Sequence, residues 1–468
     1  MFGRIALSLA LSGIAFAQTI PARPEALRFA PITFQVPRAK DHKAKLKNGI
    51  PVYLAPNGKE GLAGRFGAQL AQGVSGKLDP SKMEDKLEAM AATLSASCGD
   101  TGGSLSLQAL DADLDAGLDL FMQVLTDPAF AQDRLDLAKR QARQALGRRN
   151  DAVTGVAAYQ MGFLLFGEEH FSNRDMTAAS LDAITREDLK AFHARLLHPG
   201  NFVLSVSGSF DRKAILDKLN ATLGALKAGP AASLSPKVPA PDFTRKPGIY
   251  ITDKDGPQAM VQWALPGMRR SDPDWHAAVV MNQLLGAGGF TSRLMKKIRS
   301  DEGLTYGVRT ALGPGPYWKG DLNGSMQVKN RSVAFALRLA MEEMRKLKEQ
   351  AASPEELAVI KDGLVEAFPS QWGSRQAVAG RFAEEALQGW TEDWWADYRE
   401  KIQAVTPADV QRMARKLLDL DRMVLLVVGK ASEVEPGDPD HAGALNAVAP
   451  LPYARLPLRD PLTLKPLK

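Results

Sequence analysis

Leu181–Gly208 reads LDAITREDLKAFHARLLHPGNFVLSVSG, and Ile402–Gly429 reads IQAVTPADVQRMARKLLDLDRMVLLVVG. The register between them is 221 residues throughout (402 less 181), without a gap. Thr185 and Asp188 answer to Thr406 and Asp409, Leu196 and Leu197 to Leu417 and Leu418, and Gly208 to Gly429. Each copy predicts the same device. A Thr N-cap with an acid three residues on forms a capping box with Asp in place of Glu. An amphipathic helix follows, then a turn, then a strand ending at Gly. Pro407 stands at the first helical position, where its missing N–H costs nothing.

The repeat reaches upstream. Leu114, Leu118, Phe121 and Leu125 share one helical face, and Val333, Leu337, Ala340 and Met344 repeat the spacing. Ser353-Pro354-Glu355-Glu356 opens the next helix of the second copy as a capping box. Strands are predicted at Gly49–Leu54, Gly248–Ile251 and Met260–Leu265. The fold class is therefore α+β: two homologous domains, each a mostly antiparallel sheet with helices packed on one face. The N-terminal domain spans 46–226 and its homologue 248–430. The stretch 227–247, rich in Pro, Ala and Ser, reads as a linker. Residues 18–45 and the Pro-rich tail 431–468 read as extended segments draped over the surface.

Met1–Ala17, MFGRIALSLALSGIAFA, has one early cation, a short apolar run and a small-x-small ending, which predicts a signal peptide cut before Gln18. The run is too short to span a membrane, and no later segment is apolar enough to do so. A secreted chain follows. The formal charge of +6 is spread among interleaved acids without an aromatic-rich basic stripe, which argues against a nucleic-acid partner. Cys98 is the only cysteine, so no internal disulfide forms, and it reads as a small buried filler.

These features coincide with a known pattern. Leu46-Lys47-Asn48-Gly49-Ile50-Pro51-Val52-Tyr53 resembles the opening strand of the pitrilysin/insulinase family of zinc peptidases, and Gly61-Leu62-Ala63 resembles the start of its catalytic helix. The Thr185 and Thr406 helix starts are similar to its recurring I-T-x-x-D-L. Gly289–Leu294, Arg299 and Gly303–Val308 are similar to its second-domain signature. The resemblance covers almost all of the mature chain and implies a metallohydrolase-like duplicated fold.

It also locates a loss. Zinc-active members place two His one turn apart on that helix, with a Glu between them and a later Glu as third ligand. Here the His positions fall on Gly64 and Ala68, the general-base position on Gly67, and the later ligand near Ala145. None of these side chains binds a metal or moves a proton, so the resemblance implies no cofactor on this chain. The usual strand before the catalytic helix is missing too, because Pro56-Asn57-Gly58-Lys59-Glu60 joins the opening strand to it directly. The six histidines, His42, His170, His193, His198, His276 and His441, show no ligand spacing, and there is no G-x-S-x-G elbow.

Arg299 and Tyr306 remain. In two-chain members resembling this one, including mitochondrial processing peptidase, one chain supplies the zinc helix and the other an Arg/Tyr pair at this spacing. The resemblance thus implies a non-metal subunit, inactive alone, that pairs with a zinc-motif homologue carrying Zn²⁺ and encloses unfolded peptides, in a periplasmic setting. Arg stays charged and offers several donors, Tyr is a neutral donor, and both suit an oxyanion. The plain alternatives stand beside this: a cation completing a helix C-terminus and an aromatic opening a strand. Gly288, Gly289 and Phe290 form a candidate substrate-binding loop. Trp390, Trp394, Trp395 and Tyr398 are expected to pack a helix pair. A non-catalytic scaffold or peptide-binding assembly protein of the same fold is the other function considered.

Overall fold

Thr185 and Thr406 cap their helices as the duplicated sequence predicts. The computed structural model describes residues 34–56, 80–98, 102–227, 246–315, 318–390, 393–441 and 443–467. The Thr185 hydroxyl accepts the Asp188 amide at 3.1 Å, and the Asp188 carboxylate accepts the Thr185 amide at 2.8 Å. Thr406 and Asp409 repeat both bonds, at 3.2 and 3.1 Å. The capped helices, Arg186–Leu196 and Pro407–Leu417, each lead into a strand that ends at the repeated glycine. Ser353 forms only half of its box. Its hydroxyl accepts the Glu356 amide at 3.1 Å, while the Glu356 carboxylate accepts from Nε and Nη2 of Arg293, a stronger charge-assisted pairing.

The strands are β1 Lys43–Lys45, β2 Pro51–Pro56, β3 Thr93–Cys98, β4 Gly103–Gln108, β5 Leu204–Gly208, β6 Gly248–Asp253, β7 Gln258–Pro266, β8 Thr305–Leu312, β9 Asp321–Lys329, β10 Val424–Gly429 and β11 Tyr453–Leu456. They form a three-stranded sheet β1-β2-β5, a hairpin β3-β4 and a six-stranded sheet β11-β6-β10-β7-β9-β8. The parallel pair β2/β5 matches the parallel pair β6/β10, so the duplication extends to sheet register. Most pairings are antiparallel, and the architecture is the duplicated α+β fold. β11 comes from the C-terminal stretch read as draped over the surface; it pairs parallel to β6, and Leu445 of the same stretch is fully buried.

Each sheet borrows a helix from the other half of the chain. Val153–Phe166 is apolar on all sides and lies across β10 and β7, with Val156 and Ala157 against Val424, Leu426 and Val428, all 0% exposed. Only Thr154 and Ala158 are exposed along it, so it keeps almost no polar solvent face. In return, Arg375–Leu387 lies across β2 and β5, where the Phe382 ring stands 6.1 Å from that of Tyr53 and 5.6 Å from His42. The opposite face of the second sheet packs on its own half's helices, with Leu337, Ala340 and Met344 each 1% exposed, on the stripe the spacing predicts.

Cys98 is exposed rather than a buried filler. The β3 alternation buries Leu94 and Ala96, but Cys98 ends the strand beyond the core they enter.

Candidate functional site

The site is assembled between the helix Trp275–Asn282 and β8. That helix runs on through a widened, π-type turn at Gln283–Ala287, a short 3₁₀ turn at Gly289–Thr291 and a second widened stretch at Met295–Asp301. Two such insertions within twenty residues are unusual, and π-type turns concentrate at functional sites. Leu294 and Ile298, both 0% exposed, hold the segment from inside. Arg293 ties it to the next helix through both oxygens of Glu356, at 2.8 and 2.7 Å.

The glycines shape this path. A Cβ on Gly286 would stand 2.7 Å from the Thr310 hydroxyl, so only glycine lets the helix end lie so close to β8. Gly288 is pressed against the Gln283 carbonyl in the same way, and Gly289 turns with φ +60°. Of the candidate loop Gly288-Gly289-Phe290, the glycines set the backbone and Phe290 presents the side chain, 64% exposed.

β8 begins with a bulge between Thr305 and Val308. The Thr305 hydroxyl lies 2.7 Å from the Gln327 carbonyl and accepts the Gly307 amide at 3.1 Å. Tyr306, caught in the bulge, points out of the sheet and is 88% exposed. Bulges re-aim side chains in this manner.

Arg299 lies between these two rings. Its guanidinium carbon is 4.5 Å from the Phe290 centroid and 4.8 Å from the Tyr306 centroid. Several arginines find a carboxylate: Arg270 has Glu385, Arg293 has Glu356, Arg412 has Asp274 and Arg455 has Glu435. Arg299 has none among the described residues, and Glu302 nearby is taken by Lys297 at 2.8 Å. Both ring contacts are of cation–π type, which the negative face of an aromatic ring favours. The family resemblance paired Arg299 with Tyr306 and the glycine-rich loop supplied Phe290 separately; the fold brings the three into one stack.

Sequence reasoning missed a second cluster. Arg270, 7% exposed, gives both terminal nitrogens to Glu385, at 2.8 and 3.0 Å. Its guanidinium carbon lies 3.9 Å from the ring centroids of Trp390 and Trp394 and 4.6 Å from that of Trp395. Trp395 also donates to Glu385 at 3.0 Å. Burial pulls the Arg270 guanidinium below its usual range, and Glu385 opposes the shift. His276 stacks on Trp394 at 5.0 Å, and burial, with Lys401, lowers it to about 4. The tryptophan run was visible in the sequence. Its partner Arg270, 115 residues from Glu385, gave no local signal.

No metal centre is evident among the described residues, where no three His, Cys, Asp or Glu side chains stand together to hold an ion. Ala145 sits exposed on the helix Gln132–Gly147, while Gly64, Gly67 and Ala68 lie outside the described residues. His42, His193 and His198 face the Leu54 carbonyl, the Leu125 carbonyl and Asn201 respectively, and His170 faces Ser172. These donors do not fit a zinc ion. No helix among the described residues is long and apolar enough to cross a membrane.

Comparison with known proteins agrees with the fold and the sequence signatures. Residues 183–364 match the family described as "Peptidase M16 inactive domain". An uncharacterized zinc protease of Streptomyces coelicolor is 23% identical over 330 residues, covering 68% of this chain and 70% of that protein. The non-peptidase homolog YmxG of Helicobacter pylori is 27% identical over 298 residues, 63% of this chain and 68% of that one. The crystal structure of a peptidase M16 inactive domain from Pseudomonas fluorescens superposes with a TM-score of 0.72 at 24% identity, covering 83% of this chain and 97% of that one. The second-half signature lies within the stretch that is similar to the M16 peptidase family, the fold is that of a solved M16 inactive domain, and the sequence of this chain carries no zinc motif of the family's kind.

Proposed function

We propose that this chain is the non-metal subunit of a secreted, periplasmic two-chain zinc peptidase, with domains at 46–226 and 248–430. The metal chemistry belongs to a zinc-motif homologue, and this chain supplies one wall of a chamber for unfolded peptides. The observation that carries the reading is Arg299, a cation with no carboxylate partner among the described residues, stacked on exposed Phe290 and Tyr306. Facing a partner's site, Arg299 and the Tyr306 hydroxyl would donate to the oxyanion that grows on a peptide carbonyl, with Phe290 against the neighbouring side chain. Donors placed for that charge act mainly in the transition state.

The test is cleavage of a quenched, unstructured peptide by the mature chain, by a zinc-motif homologue from the same organism, and by their mixture. Activity that needs the mixture and falls with Arg299→Ala supports the reading. Activity of the homologue that ignores this chain moves the function to a second reading, a scaffold or peptide-binding assembly protein. The name "non-peptidase homolog" borne by the Helicobacter pylori relative favours that second reading.

A further inference from the structure

The helix Val153–Phe166 covers only part of the sheet it lies on. It runs along the strands, with Val153 beside Gly256 at the β6–β7 turn and the Phe166 ring 6.4 Å from that of Trp318 between β8 and β9. Its apolar residues pack on β10 and β7. One flank meets the C-terminal stretch, where the Arg459 guanidinium lies 4.2 Å from the Phe163 centroid. The other flank carries Thr154 and Ala158, one turn apart and both exposed, on the side of β9 and β8.

Beyond that flank the same face of the sheet is open and polar. Register places Asn323, Ser325, Gln327 and Lys329 of β9 on it, and all but Ser325 are exposed. On β8, Arg309 stands opposite Ser325 and Ala311 opposite Asn323, both exposed. Tyr306 and Gly307 share the place opposite Gln327 in the bulge, which sets the Arg299 stack at one end. The result is a lane two strands wide, with an uncharged helix as its wall and the free edge of β8 as its rim.

Charge on this lane is one-sided. Arg299, Arg309 and Lys329 border it, and none has a carboxylate partner among the described residues. The helix wall contains no charged residue. The one carboxylate on this face of β9 and β8 is Asp321, at the end away from the Arg299 stack. Lys329 lies four positions along β9 from Ser325, the residue opposite Arg309, a separation of about 13 Å at strand rise. An extended chain covers that distance in about four residues, so two of its side chains on one face reach both cations.

We infer that this lane selects acidic peptides: it takes an extended, unfolded segment with carboxylates about four positions apart, one at Arg309 and one at Lys329. The inference rests on the reading of the chain as a chamber wall and names the class of peptide that wall admits. Exposed charges of this kind set preference more than affinity, and salt screens them.

Fluorescence anisotropy with the mature chain alone tests it. The probes are labelled glycine–serine peptides as long as the nine residues of β9, carrying two glutamates four apart, two glutamates three apart, two lysines four apart, or no charge. The four-apart glutamate peptide should bind about tenfold tighter than the uncharged one, and more tightly than the three-apart one, which puts its acids on opposite faces. Raising salt from about 50 to 500 mM should erase the difference. Arg309→Gln with Lys329→Gln should abolish the preference, and Arg309→Glu with Lys329→Glu should turn it toward the lysine peptide. Equal binding of glutamate and lysine peptides, a preference indifferent to both double variants, or equal binding of a short DNA strand would overturn the inference. The zinc-motif homologue is absent from this measurement. An acid preference that persists while the mixture cleaves nothing would sink the two-chain reading alone, and a mixture that cleaves peptides without any acid preference in binding would sink this inference alone.

Discussion

Both terminal nitrogens of Arg270 end on the two oxygens of Glu385, inside a ring of three tryptophans and 115 residues away in sequence. The pair does more than neutralise itself. Glu385 sits on the helix lent to the first sheet, and Arg270 follows β7 in the second, so the bond fastens the lent helix to its home half. Removing one partner leaves the other charge buried alone. Glu385→Ala is expected to cost about 3–5 kcal/mol in urea denaturation. Replacing both, as Arg270→Met with Glu385→Leu, should cost less than either single alanine change.

At the exposed stack the expectation reverses. Arg299→Ala and Tyr306→Phe should each change stability by no more than about 0.5 kcal/mol, because neither side chain supports a core. In the mixed peptidase assay Arg299→Ala should lower kcat by about 10²–10³-fold while assembly, followed by sedimentation, is unchanged. Equal turnover in both variants would remove the catalytic role and leave the scaffold.

His276 makes stability depend on acid. Its folded value, about 4, lies below the ordinary 6.5, so the unfolded chain binds the proton more readily between those two values. The stabilising contribution is complete above pH 6.5 and is lost as pH falls toward 4. His276→Phe keeps the stacking on Trp394 without a titrating group, and should flatten the fall in Tm across that window. An unchanged pH profile would show that another group governs it.

The two capping boxes offer a matched pair. Thr406→Ala and Thr185→Ala each remove a bond to an N-terminal amide, costing about 1 kcal/mol. The helix Pro407–Leu417 buries Val410, Met413, Ala414 and Leu417, whereas Arg186–Leu196 has no fully buried residue. Thr406→Ala should therefore lower the global midpoint. Thr185→Ala should act mainly as faster amide exchange within its own helix.

Much of this was legible in the chain. The 221-residue register fixed both helix caps, two strands and their terminal glycines, because local signals and duplication agree there. The Val333–Met344 stripe named a buried face correctly. The Arg299 stack was half-legible: the family resemblance named Arg299 and Tyr306 and the glycine-rich loop named Phe290, but only the Thr305–Val308 bulge and two widened helical turns bring them together. The Arg270–Glu385 pair, the exchanged helices and β11 depend on contacts between distant segments, which leave no periodic trace. Ser353 misled for a related reason, since a distant arginine outcompeted the local amide for Glu356.

Because Val153–Phe166 covers the second sheet and Arg375–Leu387 covers the first, neither half is a self-sufficient folding module. Expressed alone, either would leave a greasy sheet face bare and carry an orphan helix. Two fragments cut within 228–245 should instead rebuild the whole when mixed, each acting as the other's missing piece. The same geometry bears on ancestry. A single-repeat forebear could have met its own need only as a pair of identical chains trading that helix, and fusion of the two genes made the trade permanent.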